Sequence, residues 1–215
     1  MAVNRRVTLR KVLIPGLLFI LALAPRLPGL GRFITTDEIT TVFDAGSNVL
    51  REFLTGNFRG TYWHFYPGVT MSWLTDLGLT TQYLLEIALG RPTGSLSEYI
   101  YGDITHLLVA ARLPFAILTA LSVPVIYLLA RQLLPGQIAL LGALFIALDP
   151  FFLAHSRVNH GDAPVAVFMT ISLLSFVVFL QRASLANRQL RTFSLVRDPY
   201  LLLSAGLGGL AAVTK

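Results

Sequence analysis

A chain of 215 residues that is 54% hydrophobic and 13% charged holds about half the charge of an ordinary soluble domain. Its mean hydropathy of +0.68 excludes disorder, and the absence of cysteine excludes a disulfide-stapled secreted module. The net charge of +6 belongs with membrane topology rather than with nucleic acid, because a soluble basic domain is not this apolar.

Five stretches are long and apolar enough to read as spans: 12–30, 107–130, 138–153, 163–180 and 200–214. About 20 helical residues cross a bilayer core, so the first two fit and the third and fifth extend into the interface. The first carries Pro15, Pro25 and Arg26 and lacks a small-x-small cleavage site, so it reads as a retained signal anchor. Between the first two spans lies a long loop, 31–106. Within it, 69–89 places Asp76, Gln82 and Glu86 at helical spacing, as in an amphipathic helix lying in the interface. The expected fold is therefore all-α: a polytopic membrane helix bundle of about five transmembrane helices, with interfacial helices in the first extracytoplasmic loop. The chain forms one transmembrane domain.

Charge sets the orientation. Arg5, Arg6, Arg10, Lys11, Arg131, Arg182, Arg188, Arg191 and Arg197 fall on one side, opposed by Asp198 alone. The long loop on the other side holds eight acids against four arginines. By the positive-inside bias the N-terminus is cytoplasmic and the long loop extracytoplasmic, in a cell or inner membrane.

Chemistry-bearing residues follow in chain order. Asp37 and Glu38 sit just beyond the first span, where adjacent carboxylates repel and favour a proton acceptor or a cation ligand. The competing reading is a helix start capped by Thr35 or Thr36. Arg26, Arg112 and Arg157 fall near the outer ends of spans. Snorkelling to headgroups accounts for Arg26, while Arg112 and Arg157 converge with the acids on a polar pocket suited to a phosphorylated amphiphile. Residues 154–162 (AHSRVNHGD) are polar in a chain starved of polarity, and Asp162 immediately precedes the fourth span. His155 and His160 lie near Asp162, but a spacing of five is poor for zinc on any regular element; no cofactor is assigned, and a divalent metal is left open. Residues 206–211 match G-x-G-x-x-A inside an apolar span with no strand before it, which favours close helix packing over a dinucleotide.

The order of these motifs resembles the N-terminal part of the GT-C membrane glycosyltransferases, in the protein O-mannosyltransferase and aminoarabinose-transferase-like group. The matching elements are Pro25-Arg26-Leu27-Pro28-Gly29-Leu30, Asp37-Glu38, an aromatic-Pro element from His64 to Trp73, and Ala111-Arg112-Leu113-Pro114. Ser156-Arg157 with Asp162, and Gly206 through Thr214-Lys215, complete them. The family's His-Pro-Pro or Lys-Pro-Pro element stands here as His64-Phe65-Tyr66-Pro67-Gly68, so His64 takes no role. The resemblance implies transfer of a sugar from a polyprenyl-phosphate donor to an extracytoplasmic acceptor hydroxyl on a lipid, glycan or protein. It implies Asp37 as catalytic base with Glu38 beside it, and Asp162, Arg157, Lys215 and Arg112 as substrate-binding groups. The alternative is a transporter or flippase fragment for a lipid-linked or anionic solute, which would explain polar helix ends without a reaction.

Overall fold

The computed structural model describes residues 2–39, 46–62, 68–91, 93–185 and 197–214. These residues build helices in the order α1 (Ala2–Leu23), α2 (Thr36–Glu38, a single turn), α3 (Asn48–Leu54), α4 (Val69–Ala88) and α5 (Leu96–Ile100). They continue with α6 (Ile104–Leu133), α7 (Gly136–Leu148), α8 (Pro150–His155), α9 (Asp162–Leu185) and α10 (Pro199–Ala212). Polar residues set several helix starts. Asp198 accepts the Tyr200 amide at 2.8 Å with Pro199 at the first helical position, and Asp103 accepts the Thr105 amide at 2.9 Å.

The all-helical architecture expected from the sequence is present, and each of the five apolar stretches carries a helix. Thr105–Leu133 and Asp162–Ser184 are long and apolar enough to cross a membrane alone, while Val12–Arg26, Gly136–Leu148 and Pro199–Ala212 are shorter. Two boundaries differ from expectation. The third stretch is not one helix across 138–153: α7 stops at Leu148, and Asp149 caps a separate α8 by accepting the Phe152 amide at 2.6 Å. Asp-Pro is a helix-start signature, and here it overrides continuous hydropathy. The first stretch leaves α-helical geometry after Leu23 and ends in a 3₁₀ turn, Ala24–Arg26.

α6 is the hub. Against α1 and α7 it buries Leu18, Ala22, Ala120, Val123 and Tyr127 around an alanine stripe, Ala139, Ala143 and Ala147, whose small side chains let the backbones approach. Against α9 and α10 it buries Ile126 and Leu129 with Val167, Phe168, Ile171 and Ala211. Near its N-terminal end, Leu107 and Ala110 pack with Leu50, Leu79 and Ile100 from the long loop. Outward faces carry exposed Leu17, Ile20, Phe145, Leu173 and Leu202, apolar area that lipid rather than water accommodates.

Pro114 explains one close contact. Proline has no N–H, so the Ala110 carbonyl loses its bond four residues on, and α4 packs Gly78 directly onto that oxygen. A Cβ at Gly78 would fall 2.0 Å from it. α4, expected as a helix over 69–89, is thereby held against α6.

Candidate functional site

Two buried arginines fix the ends of the bundle helices. Arg26 does not snorkel: it is 0% exposed and donates to the Ala22 carbonyl at 2.5 Å, Thr119 Oγ1 at 3.2 Å and the Ala147 carbonyl at 3.4 Å. The Phe152 ring covers it at 5.2 Å. Carbonyls at helix ends offer the guanidinium closer partners than headgroups do, and the expectation of snorkelling is corrected accordingly.

Arg112 meets Glu38. Its Nε donates to Glu38 Oε1 at 2.6 Å and its Nη2 to Oε2 at 2.5 Å, a two-pronged pair with both side chains sealed from solvent. Nη1 donates to the Leu30 carbonyl and Nη2 also to Phe33 at 2.6 Å. Glu38 further accepts the Asn159 amide at 2.8 Å and the Thr35 amide and hydroxyl at 3.0 and 2.8 Å. Burial works to raise the Glu38 pKa, but Arg112 and the Asn159 and Thr35 donors outweigh it and hold the carboxyl below its ordinary value. Asn159 Nδ2 donates to Thr75 Oγ1 at 2.7 Å, so α4 joins the same network. The capped-turn reading of this segment is present as well, since Glu38 reaches back to Thr35.

This geometry corrects two expectations. Arg112 was expected to bind substrate, yet each of its nitrogens is committed inside the protein. Glu38 was expected in the catalytic pair, yet it is 0% exposed, and both its oxygens are occupied. The two carboxylates that stand adjacent in sequence are separated by environment.

Asp37 is the outward member, with 68% of its side chain exposed. His160 Nε2 stands 3.8 Å from Asp37 Oδ2, and His160 Nδ1 stands 3.4 Å from Asp162 Oδ2. One imidazole ring thus stands between Asp37 and Asp162, 125 positions apart in sequence. His155 joins them: its ring lies 6.4 Å from that of His160, and one ligand atom from each of His155, His160 and Asp162 falls within 4.8 Å of the others. These are the residues able to hold a metal. The objection that a spacing of five suits no regular element is overcome because the histidines are not on one element. α8 ends at His155, and the turn that follows folds His160 back.

Arg157 Nη2 donates to the Pro28 carbonyl at the end of the first apolar stretch. Lys215 and His64 lie outside the described residues. The residue before Lys215 is placed: Thr214 Oγ1 is 2.7 Å from Thr70 Oγ1 at the start of α4, and its carbonyl would meet a Cβ at Gly161 at 3.4 Å. The end of α10 therefore abuts the 156–162 turn. Thr75 escaped the sequence reading, and Asn159 entered it only as one member of the polar run 154–162.

Residues 96–212, more than half of the chain, match the model of the dolichyl-phosphate-mannose-protein mannosyltransferase family. No curated protein and no solved structure matches the chain.

Proposed function

The chain belongs to the dolichyl-phosphate-mannose-protein mannosyltransferase family, a membrane glycosyltransferase group of GT-C type that uses a lipid-linked sugar, and from that premise we propose that Asp37 is the general base of the transfer. In this reading the Asp37 carboxylate takes the proton of an extracytoplasmic acceptor hydroxyl. The acceptor oxygen attacks the anomeric carbon, and the bond from that carbon to the polyprenyl phosphate breaks. The phosphate leaves with the electron pair, already ionised at neutral pH. A positioned base supplies about 10²–10⁴-fold to such a step. The charge count in the loops supports an extracytoplasmic side for this chemistry.

The observation that carries the reading is the division of labour between neighbours. Asp37 is an exposed carboxylate on a turn that Glu38 and Arg112 lock from within. His160 and Asp162 line the side of Asp37 on which the 156–162 turn lies, with Asp162 orienting the imidazole toward Asp37. Arg157 and Lys215 remain the proposed phosphate partners, as the kind of group in this part of the chain that supplies positive charge to a leaving phosphate.

The test is Asp37→Asn in the purified protein, supplied with a polyprenyl-phosphate sugar and an acceptor. Product formation should fall at least 100-fold while the thermal midpoint stays within about 2 °C, since 68% of the Asp37 side chain is exposed and Asn keeps its size. Unchanged turnover would remove Asp37 from the reaction. Export of sugar or lipid without any glycosylated product, in both forms, would favour the transporter instead.

A further inference from the structure

His155, His160 and Asp162 form a cluster that the transfer step itself does not require. Their placement has a local cause. Asp149 starts α8 and the helix runs only to His155. Ser156 then accepts the reversal by donating to the Leu153 carbonyl at 2.9 Å, and the Asn159 amide is pinned to Glu38. The chain therefore returns so that Asp162 opens α9 close to where α8 closed. The Phe151 ring lies against His155 at 4.4 Å and restricts it.

Distance favours coordination over a simple ion pair. Two ligands held by one metal at about 2.0–2.1 Å with a tetrahedral angle stand about 3.3 Å apart. His160 Nδ1 and Asp162 Oδ2 stand 3.4 Å apart. The His155 ligand atom already lies within 4.8 Å of the other two, so a shift of about 1.5 Å completes the set. The donor set, two imidazoles and one carboxylate, suits zinc and similar transition metals and does not suit magnesium or calcium, which take oxygen.

We propose that His155, His160 and Asp162 bind one divalent transition-metal ion of the zinc class, with at least one coordination position left open. The ion takes the Nδ1 edge of His160 in place of the Asp162 amide, which donates there at 3.4 Å, and the Nε2 edge faces Asp37 at 3.8 Å, so a carboxylate stands behind the ligating ring as in other histidine metal sites. The role of the ion rests on the transfer reading: it adds positive charge beside two carboxylates, where an anionic donor would otherwise be repelled. The binding itself does not rest on that reading.

The experiment uses the full chain in detergent, stripped with EDTA and titrated with zinc chloride, and with magnesium chloride as the oxygen-seeking comparison. Bound metal is measured by atomic emission after desalting. Wild-type protein should retain close to one zinc per chain at micromolar free metal and no magnesium. His155→Ala and His160→Gln should each weaken zinc at least 10-fold, with the metal-free thermal midpoint preserved. Wild-type protein holding less than a tenth of an ion per chain at 100 μM free zinc would overturn the proposal, whatever the variants do. So would variants that bind zinc as wild type does. Because the readout needs no turnover, an inactive protein that binds zinc would count against the transfer reading and leave the metal site standing.

Discussion

Removing Glu38 tests whether the buried pair is what holds the site. In Glu38→Ala the Arg112 guanidinium stays sealed in the protein with its carboxylate gone, and the Asn159 and Thr35 donors lose their acceptor. Breaking a buried ion pair from one side costs about 3–5 kcal/mol, because the remaining charge is desolvated without compensation. At about 2–4 °C per kcal/mol for a chain of this size, the thermal midpoint should drop by roughly 10 °C. Thermal unfolding in detergent, followed by tryptophan fluorescence, reads this directly. Arg112→Met should cost a similar amount with a pH signature. With arginine gone, burial dominates and raises the Glu38 pKa, so the folded variant binds a proton that the unfolded chain releases. Its deficit therefore grows as pH rises from 5 to 8, whereas wild type gains from Glu38 above the ordinary glutamate pKa and loses that gain in acid. The double variant Glu38→Met with Arg112→Met should recover much of either single loss. A Glu38→Ala midpoint within 2 °C of wild type, or a double variant as unstable as the sum of the singles, would refute the argument.

Three further outcomes follow from other parts of the molecule. Gly78→Ala should destabilise by about 1–3 kcal/mol in the same unfolding assay, because its Cβ meets the Ala110 carbonyl, whereas Gly209→Ala, with open space around it, should be neutral or stabilising by up to about 1 kcal/mol. Burial pushes the Asp76 carboxyl up to about 8, so the folded protein binds a proton that the unfolded one has lost, and stability should decline as pH rises from about 4 to 8; Asp76→Asn should flatten that slope in midpoints taken from pH 5 to 9. Cysteines placed at Asn4 and Asn187 should be shielded from an impermeant thiol reagent in intact cells while one at Asn57 is labelled, and labelling at Asn187 would reverse the orientation.

Helix type and position were legible because they depend on hydropathy summed over many residues. Individual partners were not, because they depend on which atoms meet after packing. The break at Asp149-Pro150 was written locally as a cap followed by proline, but continuous hydropathy masked it. The burial of Arg26 had little local signal, since beyond the Ala22 carbonyl its partners are Thr119 and Ala147, 93 and 121 positions away. The nearness of His155 to His160 was hidden for the opposite reason. Five residues across a helix end and a turn obey neither helical nor strand periodicity, so a rule built on regular elements does not foresee that the turn brings these side chains together.

The pair Asp37-Glu38 shows how one turn of helix converts a repeated residue type into two functions. Successive residues on a helix point about 100° apart, so two adjacent acids cannot both face inward. Which one turns in is decided by Arg112, whose fork needs a carboxylate at the end of α6 and meets Glu38. The same Glu38 oxygen that receives Arg112 Nε receives the Asn159 amide, so the first outer loop, α6 and the 156–162 turn are clamped at one carboxylate. Asp37 projects from that clamp and His160 is one residue from Asn159. Their separation is thus set by a buried network rather than by either exposed side chain. Held this way, Asp37 takes its position from the buried Glu38 network behind it, and its largely exposed carboxylate faces the turn that carries His160.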